Sequence, residues 1–137
     1  MRSLILILTT LLLTKSLLAE EKSSFYIITH HENKVESLTQ KELVQLFMGK
    51  KINLNGVNVK IILHNDREFF IQKVLKMSVQ KFERTWKRLI FTGQRKGYTS
   101  VATDQEISET VALHENTIGF IKSKKYLNDS MRVISIK

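Results

Sequence analysis

The chain has 137 residues, a formal net charge of +9 and no cysteine. Without cysteine there is no disulfide framework, no thiolate metal site and no thiol nucleophile. The length is that of one small domain.

The first 19 residues have the layout of a secretory signal peptide. Arg2 gives a positive start, an apolar run extends from Leu4 to Leu13, and Ala19 precedes an acidic pair. We predict a cleaved leader rather than an uncleaved membrane anchor, because the apolar run is shorter than the ~20 residues that a spanning helix needs. Its two basic side chains leave with it, so the charge falls from +9 to +7. Residues 20–137 are then predicted to form a single domain of a periplasmic or secreted protein.

The first half of this domain alternates strand and helix signals. Phe25 to Thr29 is a β-branched and aromatic run that predicts a strand. A helix is predicted from Thr39 to Met48, opening with a capping box that Glu42 completes. Asn55-Gly56 is a strong two-residue hairpin signal, and Val57 to Leu63 reads as the strand that follows.

The second half predicts three helices and then two strands. Phe69 and Leu75 mark the first helix, Ser78 caps the second, and Thr103 begins the third with another capping box. The remaining segments are a loop and a basic helical turn between short strands: 94–100 (loop), 118–121 (strand), 122–127 (turn) and 131–136 (strand). This order of elements predicts a mixed α/β domain.

Four segments in this order carry a family resemblance. They are LTQKELVQLFMGKKINLNGVNVKII (Leu38 to Ile62), DREFFIQKVL (Asp66 to Leu75), Trp86 followed by FTG (Phe91 to Gly93), and SETVALHENTIGFI (Ser108 to Ile121). Together they resemble the phosphate-binding, type 2 periplasmic substrate-binding proteins of ABC transporters. The resemblance spans about residues 24–121. It implies an α/β fold in which a small mixed sheet is flanked by helices.

The sequence departs from that family in two ways. Proteins of the family have two lobes that close on the ligand, whereas the 118 residues of 20–137 suffice for one, so the chain is similar to a short, single-lobe relative. The family also has a Ser-Gly-Thr-like sequence at the helix start after the inner strand, where hydroxyls and backbone N–H groups meet phosphate. This chain has the sequence His64-Asn65-Asp66-Arg67 there.

Two interpretations of this junction are open. A strand end that leads into a helix start is where α/β sheets bind ligands, and Arg67 can grip phosphate or a similar oxyanion with two hydrogen bonds. The ligand site would then consist of Arg67, Asn65 and Thr29 at the end of the first strand, and a lone lobe would bind weakly. Alternatively, Asn65 or Asp66 is an ordinary N-cap, Arg67 lies in solvent, and Asp66 and Glu68 repel an anion.

Histidines offer a less favoured, metal-binding interpretation. His30 and His31 follow the first predicted strand, and His64 follows the inner strand. If these strands are parallel neighbours, the three imidazoles emerge at the same end of the sheet and can bind zinc, nickel or copper. The spacing matches no standard metal signature, and no cofactor is predicted.

The segment from Arg67 to Lys96 holds nine Lys or Arg residues against two acidic ones. We interpret it as the solvated face of a helix pair, with attraction to anionic lipid or an acidic partner as the alternative. In that alternative the chain is a ligand-free interaction or accessory protein of the cell envelope. Phe82, Trp86 and Phe91 have helical spacing and are predicted to be core rather than a base-stacking platform, and nucleic acid is not expected as a partner.

Catalysis has little support in the sequence. There is no nucleophile elbow and no phosphate-cradling glycine loop, and the carboxylates fit helix caps better than an acid–base pair. We therefore predict a binding protein rather than an enzyme, with an ABC transporter or another envelope protein as its partner.

Overall fold

A computed structural model describes residues 24–137, in which helices cover both faces of a five-stranded sheet. The predicted leader, residues 1–19, lies outside the described residues. Within residues 24–137, no helix is both long enough and apolar enough to cross a membrane.

The described residues contain nine strands, four α-helices and one short 3-10 helix. The strands are β1 (Tyr26–His30), β2 (Ser37–Leu38), β3 (Asn53–Leu54), β4 (Val57–Asn58), β5 (Lys60–His64), β6 (Thr99–Val101), β7 (Thr117–Ile121), β8 (Met131–Val133) and β9 (Ser135–Ile136). The helices are α1 (Gln40–Phe47), α2 (Glu68–Lys73), α3 (Val79–Phe91), α4 (Asp104–Leu113) and the 3-10 helix (Lys124–Tyr126).

The main sheet has the strand order β6-β5-β7-β1-β8. Strands β5, β6 and β7 run parallel, whereas β1 runs antiparallel to both of its neighbours, with Ile28 opposite Gly119 on β7 and Val133 on β8. The predicted mixed sheet is confirmed. Because β1 is reversed, it begins at the end of the sheet where β5, β6 and β7 finish. We call that end the carboxyl end, and the opposite end the amino end.

Alternating residues of the strands supply two cores, one on each face of the sheet. Ile27 faces the larger core with α1, α2 and α3, and Ile28 faces the smaller one with α4. The fully buried aromatic side chains of the larger core are Phe47, Phe70, Phe82 and Phe120. The smaller core consists of Ile28, Ile62, Ile107, Val111, Ile121 and Met131.

Glycine is required at position 119, where α4 approaches β7 closely. A Cβ atom on Gly119 would lie 2.6 Å from Ile62 Cγ2 and 3.0 Å from Ile107 Cγ2. The glycine of the Ile118-Gly119-Phe120 segment therefore makes room for the Ile62 side chain of the neighbouring strand β5 and for the Ile107 side chain of α4.

The predicted helix starts are largely confirmed. Thr39 accepts a hydrogen bond from the Glu42 N–H, and the Glu42 carboxylate accepts one from the Thr39 N–H, which completes the capping box of α1. At α4, Thr103 caps the Glu106 N–H as expected. The Glu106 carboxylate, however, accepts from the Ala102 N–H at 3.4 Å, so this second box is not reciprocal.

Phe91 was predicted to be core and is 91% exposed, whereas Phe82 and Trp86 are buried as predicted. The reason is helical geometry. Phe91 follows Phe82 by nine residues, which is two and a half turns, so it lies on the opposite side of α3.

Candidate functional site at the carboxyl end of the sheet

The loop after β5 is tied to β6 at the carboxyl end. The Asn65 N–H donates to the Val101 carbonyl at 2.7 Å, and the Asn65 Oδ1 accepts a hydrogen bond from the Ser100 hydroxyl. Because Oδ1 is the acceptor in this bond, the amide nitrogen is the group of Asn65 that can donate to a ligand. Asn65 itself is exposed.

An ion pair joins this loop to the residue that follows β7. The Lys122 ammonium donates to Asp66 Oδ2 at 2.5 Å, and the two side chains are 37% and 71% exposed. This hydrogen bond from Lys122 lowers the pKa of the Asp66 carboxyl below its usual value. The carboxyl end therefore carries the Lys122 ammonium, and the carboxylate that pairs with this ammonium is exposed to solvent.

A second carboxylate already occupies backbone donors at this end. Asp104 Oδ2 accepts from the Lys122 N–H at 2.9 Å and from the Ser123 N–H at 3.0 Å. Asp104 Oδ1 is buried, has no hydrogen-bond partner among residues 24–137, and lies 3.7 Å from His64 Nε2. The Asp104 carboxylate thus occupies the backbone N–H groups that precede the 3-10 helix.

His64 lies beneath these groups with its ring nearly buried. Its Nδ1 accepts a hydrogen bond from the Asp66 N–H at 3.0 Å, a bond that requires this nitrogen to be unprotonated. Burial, and then the nearby Lys122 ammonium, lower the pKa of His64 from its usual value of 6.5. A neutral His64 therefore helps to hold the loop that carries Asn65 and Asp66.

His64 is expected to make the protein less stable in mild acid. Its pKa is lowered by folding, so the unfolded chain takes up the proton first as the pH falls below about 6.5. The stability that His64 contributes is complete above pH 6.5 and is lost as the pH falls through the folded-state pKa. The measurement is the free energy of unfolding in urea at several pH values from about 8 to about 5.

His64→Asn serves as the comparison, because an asparagine Oδ1 can accept from the Asp66 N–H and does not titrate. The variant is expected to lose less stability than the wild type over this pH range. Asp66 and Glu42 also have lowered pKa values, but from starting values of 3.8 and 4.5, so their effects come at lower pH. Equal pH dependence in the two proteins would exclude His64 as the cause.

The Arg67 side chain is held against α3. Its Nη2 donates to Glu83 Oε1 and to the Tyr98 hydroxyl, both at 2.9 Å, and its guanidinium lies 5.2 Å from the Tyr98 ring centroid. Arg67 is also the N-cap residue of α2 and makes no side-chain cap bond. The expected N-cap at Asn65 or Asp66 with a solvated Arg67 is therefore wrong, since Arg67 anchors the loop to α3.

Solved structures similar to this chain share its sheet and helices. A protein from Clostridium perfringens described as a phosphate ABC transporter substrate-binding protein, with phosphate bound, superposes with a TM-score of 0.64 at 20% identity, over 82% of this chain and 44% of that one. This chain has the fold of one lobe of such a protein.

Two further structures agree with this single-lobe fold. PstS from Borrelia burgdorferi gives a TM-score of 0.62 at 15% identity, over 83% of this chain and 47% of that protein. An ABC-type phosphate transport receptor from Vibrio cholerae gives 0.55 at 15% identity, over 82% and 45%. The lobe thus spans less than half the length of each of these proteins. No family model and no curated protein matches the sequence.

Thr29 does not lie with Asn65 and Arg67 in the lobe, so this part of the predicted ligand set is wrong. Because β1 is antiparallel to β7, its last residues lie at the amino end of the sheet, whereas Asn65 follows the carboxyl end of β5. Thr29 is also fully buried, and its hydroxyl donates to the Thr117 carbonyl at 2.9 Å.

The predicted cluster of three histidines is wrong for the same reason. The metal interpretation needed β1 and β5 to be parallel neighbours, but β7 lies between them and β1 is reversed. His30 and His31 are therefore at the amino end and His64 at the carboxyl end. Within the described part of the chain, no group of three or more His, Asp or Glu side chains is arranged to hold a metal.

Sequence reasoning missed Lys122, Ser123 and Asp104 as members of the site. A signal was present, because Lys122-Ser123 directly follows the apolar strand Thr117–Ile121, as Asn65 follows β5. Parallel strands bring both positions to the same end of the lobe. The assembled end offers an ammonium and an amide donor for an anion, opposed by the carboxylates of Asp66 and Asp104.

Proposed function

We propose that this protein is a substrate-binding-like protein of the cell envelope that binds phosphate or a similar small oxyanion weakly. The observation that carries the proposal is its one-lobe fold, shared with the Clostridium perfringens protein that holds phosphate. In α/β folds of this kind ligands lie outside the carboxyl ends of the strands, which here is the end with Asn65 and Lys122. Binding is proposed rather than catalysis, since the Clostridium perfringens and Vibrio cholerae proteins are both described as transport proteins.

Two donors at the carboxyl end suit an oxyanion. The Lys122 ammonium is paired with Asp66, and an exposed pair of this kind contributes only about 0–1 kcal/mol. An arriving oxyanion can therefore replace the Asp66 carboxylate at the ammonium. The amide nitrogen of Asn65 donates from the neighbouring loop, and Arg67 positions that loop through Glu83.

Two features keep the proposed affinity low. The carboxylates of Asp66 and Asp104 stay near the ligand and repel it. A single lobe also covers the ligand from one side only, whereas small-molecule sites enclose most of the ligand surface. We therefore expect a dissociation constant in the millimolar range, unless a second copy or a partner closes the site.

We propose that the protein acts in the periplasm or outside the cell, with an ABC transporter or another envelope protein as its partner. The predicted leader in residues 1–19 supports this location. The transport role named for two similar proteins supports the kind of partner.

Lys122→Gln tests the proposed oxyanion site. It removes the cation that the ligand would contact, so the affinity for inorganic phosphate is expected to fall by about threefold or more. The measurement is a titration with sodium phosphate at constant ionic strength, followed by the chemical shifts of backbone amides in NMR spectra. The largest shifts are expected at Asn65, Lys122 and Ser123.

Lys60→Gln is the matched control, because Lys60 is exposed and begins β5 at the amino end. It removes the same charge and is expected to leave phosphate affinity within error of the wild type. Micromolar binding by a monomer would contradict the open, single-lobe site. Shifts confined to the amino end, or equal losses in both variants, would contradict the proposed location.

A further inference from the structure

The outer surface of α3 combines three cations with an aromatic ring in solvent. Phe91 is 91% exposed and Ile90 is 46% exposed. Arg84, Lys87 and Arg88 are exposed on the same surface and line it together with these two apolar side chains. We call these five residues the basic-aromatic patch.

Helical spacing places Phe91 among the cations. Arg84, Lys87 and Arg88 precede it by seven, four and three residues, which are neighbouring positions on one side of a helix. The buried stripe of α3, formed by Phe82, Trp86 and Leu89, lies on the other side. The ring therefore projects from the centre of a positive surface.

Within the described part of the chain, no neighbouring side chain neutralises the charge of the basic-aromatic patch. Glu83 is the one acidic residue in the α3 sequence, and it pairs with Arg67 at 2.9 Å. Among residues 24–137, Arg84, Lys87 and Arg88 have no carboxylate within 4.0 Å. Three positive charges that have no carboxylate partner in the described part of the structure thus flank an apolar group that water solvates poorly.

We propose that the basic-aromatic patch docks this protein on an anionic lipid bilayer. The three cations lie against headgroup phosphates, while the Phe91 ring and the Ile90 side chain enter the interfacial layer. Helices that bind membrane surfaces combine basic side chains with exposed aromatic and aliphatic ones in this way.

Charge and shape favour a bilayer over other occupants. Two copies of the patch facing each other would bring six positive charges together, which opposes a symmetric dimer. A stable protein interface needs a broad apolar centre, whereas this surface is one face of a helix with two apolar side chains. The long, flexible Arg and Lys side chains can each reach a phosphate group in a fluid lipid headgroup layer.

The Phe91 end of the basic-aromatic patch lies about two turns of α3 away from the residue that meets the carboxyl end of the sheet. Contact between α3 and the carboxyl end runs through Glu83, which bonds to Arg67. Phe91 follows Glu83 by eight residues, about 12 Å along a helix. The lipid proposal therefore stands on different residues from the oxyanion proposal.

The test is binding to lipid vesicles by co-sedimentation, with every variant made as the same full chain. The wild type is expected to prefer phosphatidylglycerol over phosphatidylcholine vesicles. A triple variant, Arg84→Gln with Lys87→Gln and Arg88→Gln, is expected to weaken binding to phosphatidylglycerol by about a hundredfold, or about fivefold for each cation. Phe91→Ser is expected to weaken it by about tenfold.

Matched controls separate the patch from total charge and apolar exposure. The triple change Lys34→Gln, Lys60→Gln and Lys137→Gln removes three exposed charges outside α3 and is expected to cost far less binding. Leu113→Ser removes an apolar side chain that is 78% exposed on α4 and is expected to have no effect.

Three results would overturn the lipid proposal. Equal binding to the two kinds of vesicle would exclude anionic headgroups, and equal losses in the patch and control triples would exclude this surface. Concentration-dependent dimers that Phe91→Ser converts to monomers in sedimentation would identify a second copy as the occupant. Circular dichroism spectra that match the wild type exclude unfolding of a variant as the cause of lost binding.

Discussion

Phe70→Ala is expected to lower the free energy of unfolding by about 3–5 kcal/mol. Phe70 is fully buried, and its ring is nearly parallel to the Phe120 ring with the centroids 3.8 Å apart. It also meets the Phe47 ring edge to face at 5.1 Å. Truncation removes these contacts and leaves a cavity between α1, α2 and β7, which surrounding side chains fill only in part.

Phe69→Ala is the matched control in the same helix. Phe69 is 43% exposed and stacks on Phe25 at 5.8 Å, so its loss is expected to cost about 1 kcal/mol. Urea denaturation of the two variants, compared at equal m-values, measures the difference. Similar losses in both would mean that Phe70 does not anchor α2 to the sheet.

Gly49→Ala is expected to destabilise the protein by about 2–4 kcal/mol, because two costs combine. Gly49 has a φ of +71°, a left-handed conformation that disfavours a side chain. A Cβ atom there would also lie 2.7 Å from Trp86 Cη2 and 2.9 Å from Cζ2. The indole cannot retreat freely, since Trp86 is buried and its Nε1 donates to the Phe47 carbonyl at 2.9 Å.

Gly93→Ala isolates the steric part of this cost. Gly93 has a similar φ of +73°, but no described atom lies within 4 Å of the position of its Cβ. The control is expected to lose about 1 kcal/mol of stability, which is the cost of a side chain in the left-handed conformation. Thermal unfolding of both variants gives the comparison, and equal decreases in Tm would remove the Trp86 contact from the explanation.

Elements set by neighbours in sequence could be predicted from the sequence. The α1 capping box depends on Thr39 and Glu42, three residues apart, and both of its hydrogen bonds are present. The Asn55-Gly56 turn is also local, and its residues have φ values of 52° and 85° as the predicted hairpin requires. Propensity and spacing decide such features before distant parts of the chain meet.

Features set by strand direction could not be predicted in this way. The sequence of Tyr26–His30 does not indicate that β1 is antiparallel to β7. Because it is antiparallel, Thr29 and His30 lie at the amino end of the sheet. The resemblance led to the correct fold without giving the direction of this strand. Predicting which site residues lie together would have required the direction of every strand in the sheet.

The carboxyl end shows a similar limit for side-chain partners. Arg67 was expected either to bind an anion or to lie in solvent, and it bonds to Glu83 and Tyr98, residues 16 and 31 positions away. Phe91 was placed in the core because it was taken to share helical spacing with Phe82 and Trp86, although nine residues separate it from Phe82 and place it on the opposite side of α3. Distance along the chain explains why the partners of Arg67 were not predicted, and incomplete use of helical phase explains the error at Phe91.

The reversed strand β1 has a consequence for how the chain folds. Its Ile28 lies opposite Gly119 and Val133, residues that follow it by 91 and 105 positions. During synthesis, β1 therefore stays without its two sheet neighbours until β7 and β8 have been made. Pairing across such a separation requires closure of a long loop, which slows folding compared with local pairing. Both edges of β1 thus stay unpaired while the roughly ninety residues between β1 and β7 are made, and the strand pairs that join β1 to the sheet form late.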